Sequence, residues 1–287
     1  MPSLKNNANL TPMKCVQTCV ATLAGIVALA AMVPSVIATG DAQAATAPTA
    51  SMEDALVLYQ DGRYGRAAEE ALALGEAEAD ALAARALLAQ ARVSPRNDRA
   101  ALVSEAKSAA QSAIARDPEV VEGHLQLAVA LGFQGRAMGD YFAHQQGLAT
   151  QAREAIDAAL ALDPDDPWAL ALSGTWHLEI TKGAGPLLAS ALYDASLSSG
   201  ITDIRKAIAI PGASLIVLHQ CALQLLAHDA DAFGAEAERT LVAAGNARPH
   251  GAFERRTARQ ADQLLRAFRS GNASMLKREI DREQMSY

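Results

Sequence analysis

The chain has 287 residues, 51% of them hydrophobic and only 4% aromatic, with 25 basic and 32 acidic residues and a formal net charge of −7. That acidic balance excludes the broad basic surface that general nucleic-acid binding uses. Only three cysteines are present, too few for a disulfide-built scaffold.

The first segment reads as an export leader. Lys5 and Lys14 precede an apolar run from Val20 to Val33, Pro34 breaks the run, and small residues lead to Ala42-Gln43-Ala44. A charged start, a short apolar core and an A-x-A site describe a secretory signal peptide, cleaved after Ala44. The run is shorter than the roughly 20 residues of a spanning helix, so an uncleaved anchor is the weaker reading. Cys15 and Cys19 fall inside this leader, which leaves Cys221 as a lone thiol among periodic apolar neighbours, expected to be buried. Without residues 1–44 the charge is −8, and it is uneven: residues 252–287 hold eight basic and five acidic residues. Residues 45–50, "ATAPTA", read as a flexible lead.

From residue 51 onward apolar residues recur at three and four, as in Leu125, Ala128, Val129, Gly132 and Phe133. This is the pattern of packed helices. The interruptions are regular. "EALALG" ends at Gly75, "AIARDP" at Pro118, "ALALDP" at Pro164 and "KAIAIP" at Pro211, the last two intervals being 46 and 47 residues. Proline lacks the backbone donor and clashes with the preceding turn, so each helix stops before it. Asp165 or Asp166 then caps the next helix, with Pro167 in its first turn. Self-similarity at this period predicts a solenoid of helix pairs.

The first unit carries the most specific signature. "LYQDGRYGRAAEEALAL" (58–74) places Gly62, Tyr64 and Ala67 at a turn between antiparallel helices. Ala106, Ala113 and Pro118 repeat the second-helix pattern, and Ala152, Ile156, Ala159 and Pro164 repeat it again. On these residues the chain resembles the tetratricopeptide repeat family, over roughly residues 50–245. It is similar to exported alphaproteobacterial members with a "WHLEI" segment, and more distantly to the helical regulator-of-microtubule-dynamics family. Ser173-Gly174 stands where the repeat has a Leu-Gly pair, so the small residue is expected at a close helix crossing. The units exceed the usual 34 residues. The surplus is expected between the paired helices or as added helix length, at 134–150 and 181–200.

The predicted fold is therefore all-α: a right-handed solenoid of about four antiparallel helix pairs over 51–250, tetratricopeptide-like with expanded repeats. Residues 251–287 form a C-terminal capping helix and a basic tail.

No reaction chemistry stands out. The six histidines never fall at the i, i+4 spacing of a helical zinc pair, and His177 and Glu179 project to opposite sides of a helix. No phosphate loop or nucleophile elbow is present. The expectation is a chain with no cofactor, no metal and no catalytic residues.

The resemblance places the second position of each first helix on a concave groove. The groove residues it implies are Glu122, Phe133, Trp168, Glu179 and His219, in an apolar surface with acidic spots. Leu125, Val129, Ile216, Leu223 and Leu226 accompany them, while Trp176 reads as core. The expected function is a non-catalytic protein–protein interaction scaffold in the bacterial cell envelope, exported to the periplasm, holding a peptide or protein segment in that groove. The alternative is a small-molecule or lipid binder with a pocket under 134–150 and 181–200.

Overall fold

The computed structural model describes residues 51–285. The expected leader, 1–44, and the lead, 45–50, lie outside the described residues. Within them the chain is a helical repeat of thirteen α-helices with no strand.

The pairs follow the breaks read from the sequence. Helices α1 (Met52–Gln60) and α2 (Tyr64–Leu74) form the first hairpin, with Gly62 at φ +83 in the turn. The second pair is α3 (Ala77–Val93) and α4 (Arg96–Arg116). Then come α5 (Val121–Met138), the short α6 (Asp140–Gln145) and α7 (Leu148–Leu162). The next unit repeats this arrangement as α8 (Pro167–Ala184), α9 (Pro186–Tyr193) and α10 (Leu197–Ala209). The surplus residues thus do both things expected of them: they lengthen the first helices and insert α6 and α9 between partners.

Helix ends have local causes. α2 stops at Gly75 in the left-handed region, where a glycine meets no Cβ penalty. α4, α7 and α10 stop one or two residues before Pro118, Pro164 and Pro211. Asp166 caps α8, its Oδ1 accepting from the Ala169 N–H at 2.6 Å, with Pro167 as the first helical residue. Of the two aspartates offered by the sequence, Asp166 is the cap.

The alanine-rich composition makes helix faces smooth enough to pack closely. One close crossing joins α8 and α10. A Cβ on Gly174 would lie 2.6 Å from Ile204 Cγ1 and 2.9 Å from the Gly200 carbonyl oxygen. One on Gly200 would lie 3.0 Å from His177 Cβ. The small residue at position 174 has the role expected of it.

Beyond Pro211 the structure departs from four pairs plus a cap. α11 (Leu215–Asn246) is broken at Asp229, which has φ −158 and ψ 100. Asp229 Oδ1 accepts from the N–H groups of Asp231 and Ala232 at 3.0 and 2.9 Å, so it caps a new helix. Leu218 and Thr240 line one surface recess. On a straight helix 22 residues span roughly 33 Å, so the halves fold back as a fifth hairpin. α12 (Ala252–Arg269) packs on α11, and α13 (Ala273–Met285) covers both. Residues 273–285 are therefore a packed helix whose Leu276 and Ile280 join the core.

α12 also closes the array. Its entry residue Gly251 lies against Gln60 at the end of α1, and Ala252 against Gly62. Arg256 Nη2 reaches the Arg92 carbonyl oxygen at 3.5 Å, and the Arg92 guanidinium stacks 5.5 Å from the Phe253 ring. The repeat curls until its last elements touch its first. Among the described residues no helix is long and apolar enough to cross a membrane.

Candidate functional site: a central channel

Curling the array brings the inner faces of the first helices together. The resulting cavity, about 270 Å³, takes residues from α1, α3, α5, α8, α11 and α12. Tyr59, Arg85, Glu122, Leu125, Val129, Trp168, Ile216 and Phe253 are among its walls. A smaller cavity of about 80 Å³ lies beside it, sharing Arg92, Val129 and Trp168 and adding Arg136, Thr175, Trp176, Glu179 and Gln220. Trp168 borders both. It is only partly buried, whereas Trp176 is buried and donates its Nε1–H to the Ala149 carbonyl at 2.8 Å.

Three of the five expected groove residues line this channel: Glu122, Trp168 and Glu179. The carboxylates do not form bare acidic spots. Arg85 Nε donates to Glu122 Oε1 at 2.6 Å, and Gln126 Nε2 donates to the same oxygen at 2.9 Å. Arg136 Nη1 donates to both oxygens of Glu179, at 2.9 and 3.0 Å. The walls are apolar and aromatic with arginine–carboxylate pairs at two points. Beside the first pair Arg85 stacks on Tyr59, and burial pushes the Tyr59 phenol well above its ordinary range, so it stays a neutral donor.

Two expected groove residues lie elsewhere. Phe133 is buried in the core between α3 and α5, under the guanidinium groups of Arg92 and Arg136, whose Cζ atoms are 5.7 and 5.8 Å from its ring. It supports the channel wall from behind. His219 is buried too, its Nε2 at 2.8 Å from Glu283 Oε2 on α13. Leu223 and Leu226, expected in the groove with it, are core residues of the same cluster. The physical reason is the extra C-terminal helix: α13 covers the face of α11 that would otherwise turn outward. The channel takes Ile216 and Val217 from α11 instead.

Sequence reasoning missed Tyr59, Arg85, Arg92 and Phe253, since nothing local shows that α12 returns to α1. It also missed Thr175, whose buried Oγ1 has no hydrogen-bond partner among the described residues and which lines the smaller cavity. Helical threonine ordinarily donates to the carbonyl four residues back. A buried hydroxyl without that bond is a costly arrangement unless a water or ligand completes it.

The buried thiol is as expected. Cys221 is enclosed in the core, and burial pushes it up to about 12, so it is no thiolate at neutral pH. Among the described residues no three His, Cys, Asp or Glu side chains stand together as a metal site.

Fold and site together define a helical repeat protein whose curled array encloses a lined channel. The family follows from comparison: residues 67–268 match the family described as regulator of microtubule dynamics protein 1-3, and the chain belongs to it. The matched span runs from α2 almost to the end of α12, so it includes the elements that build the channel except α1. No curated protein matches the chain.

Proposed function

We propose that the chain is a non-catalytic interaction module that holds an extended partner segment in the central channel. The observation that supports this most directly is Trp168, partly exposed and shared by two cavities that every inner helix helps to line. Tryptophan is enriched among the residues that anchor interfaces, and such anchors sit in desolvated pockets. Size selects the occupant. A helix with side chains is about 10–12 Å across, too large for a cavity of about 270 Å³. One or two anchoring side chains of an extended segment fit. In this reading the Thr175 hydroxyl bonds the tip of the deeper one.

The rest of the reading rests on sequence. The repeats are of the tetratricopeptide kind, the leader directs export, and the partner is met in the bacterial periplasm. The test is affinity capture from envelope extract with the chain and its Trp168→Ala variant as baits. A stoichiometric partner held by the first and lost by the second is the expected result. Equal capture by both contradicts a channel site.

One observation favours a second reading as a small-molecule or lipid binder. Leu187, Leu188 and Leu192 of α9 are 87%, 56% and 61% exposed. Leu188 and Leu192 line an open recess of about 380 Å³ with His144 and Tyr193. A retained ligand mass in a native mass spectrum, lost on Leu188→Ser and Leu192→Ser substitution, supports this reading.

A further inference from the structure

Thr175 breaks a pattern. On the same helix Thr181 Oγ1 donates to the His177 carbonyl at 2.7 Å, and Thr202, Thr240 and Thr257 also donate to the carbonyl four residues back, at 2.7, 2.9 and 3.1 Å. Thr175 is only 8% exposed, and its Oγ1 has no partner among the described residues. It stands on the wall of the cavity of about 80 Å³, with Leu172 and both tryptophans of the chain.

Gly132 keeps that cavity open. It lies inside α5, where glycine weakens a helix. The nearest neighbour of a Cβ built there is Arg136 Nη2 at 3.7 Å, an ordinary contact. Neither a positive φ nor a close crossing calls for glycine at 132. What the missing side chain leaves is cavity volume, since Gly132 is part of the wall.

The other polar groups on the wall are engaged. Arg136 donates twice to Glu179, and Arg92 and Gln220 have partners of their own. An added carboxylate would face Glu179, and an added ammonium would face Arg136. One water needs two to four polar partners and roughly 10–15 Å³. A cavity of about 80 Å³ with two indoles and one unsatisfied hydroxyl is too large and too apolar for it. Thr175 and Glu179 are one turn apart on α8, with Cβ atoms roughly 5–6 Å apart at that spacing. The hydroxyl can donate, and a carboxylate has acceptor sites beyond those that Arg136 uses.

We propose that this cavity is a pocket for a primary carboxamide, supplied by an asparagine or glutamine side chain of the partner segment. The amide carbonyl accepts from the Thr175 hydroxyl, the amide N–H donates to Glu179, and the aliphatic stem lies against Trp168 and Trp176. An alcohol has a single polar atom and cannot span both groups. The source of the amide rests on the reading of the channel as a segment-binding site; the pocket's preference for an amide does not.

The probe is propionamide, titrated into the full chain, with propionate and 1-propanol as controls. Both tryptophans line the pocket, so the two indole N–H signals in a nitrogen–proton correlation spectrum report its occupancy. Saturable shifts of both are expected with propionamide, at least fivefold tighter than with either control. Thr175→Val should weaken binding about fivefold, Thr175→Ser should retain it, and Gly132→Leu should abolish it by filling the space. Without probe, Thr175→Val should be at least as stable as the parent, because an unsatisfied buried hydroxyl is removed. A less stable Thr175→Val protein that binds propionamide as the parent does means that the hydroxyl is bonded within its helix, and overturns the proposal. So does equal binding of amide, carboxylate and alcohol, or no saturable shift. Propionamide binding beside a failed partner capture supports the pocket and assigns the amide to a free compound, overturning only the segment as its source. Partner capture lost in Trp168→Ala but unchanged in Thr175→Val, with no propionamide binding, overturns the pocket and leaves the channel reading intact.

Discussion

Gly251 touches Gln60. A Cβ built on Gly251 would lie 3.0 Å from both the Cα and the carbonyl oxygen of Gln60, and Gly251 has φ +99. The contact joins the approach to α12 with the end of α1, and it turns a row of helix pairs into a closed array around a channel.

Replacing Gly251 by alanine therefore strains the backbone and pushes the seam apart. The expected cost is about 2 kcal/mol, from an unfavourable φ and a contact with backbone atoms that cannot yield. Chemical denaturation measures it. Limited proteolysis should show faster cleavage near residues 247–251. A variant as stable and as resistant as the parent means that the seam is loose in solution.

The crossing of α8 and α10 gives a second pair of outcomes. Gly174→Ala places a methyl within 2.6 Å of Ile204 Cγ1 and 2.9 Å of a carbonyl oxygen, and should destabilise by about 2 kcal/mol through overpacking. Gly65→Ala on α2 meets nothing within 4 Å and should stabilise by up to about 1 kcal/mol through helix propensity. Urea midpoints of the two variants should move in opposite directions.

His219 tests the placement of the C-terminal helix. Removing His219 takes a close polar neighbour from the buried Glu283 and opens a cavity between α11 and α13, so His219→Ala should cost about 3 kcal/mol. It should also expose α13 to proteolysis. A binding defect with unchanged stability would return His219 to a ligand-facing position.

His177 sets a pH dependence. Its Nδ1 accepts from the Ser196 N–H at 3.3 Å, and Arg153 Nη1 lies 3.4 Å from its Nε2. Burial first, then Arg153, lower its pKa below the ordinary 6.5, outweighing the carboxylates of Asp203, Asp194 and Asp157. The folded protein thus resists a proton that the unfolded chain accepts. Stability from this group is intact above pH 6.5 and falls as the pH drops from there toward the lowered value. His177→Gln should flatten that part of the urea-midpoint profile.

The sequence made the periodic part of the fold legible because proline and glycine act locally. Pro118, Pro164, Pro211 and Gly75 stop helices whatever surrounds them, and the close crossing at Gly174 was visible from its place in the repeat. The break at Asp229 was less visible. No proline or glycine marks it, and the signal was an aspartate able to cap a new helix in "HDADAF". The return of α12 to α1 had no local signal, since closure depends on the summed curvature of five hairpins. The groove assignment failed where tertiary cover decides burial. Glu122, Trp168 and Glu179 face the channel; Phe133 and His219 had the same helical spacing but lie under Arg92 and Arg136 in one case and α13 in the other.

The central claim is that Trp168 anchors a partner segment inside the closed array. The most direct measurement is affinity capture from envelope extract with the parent chain beside Trp168→Ala, after circular dichroism has shown both baits folded. The account predicts a stoichiometric partner retained by the parent and lost by the variant. A partner held equally by both baits would place recognition outside the channel and contradict the claim.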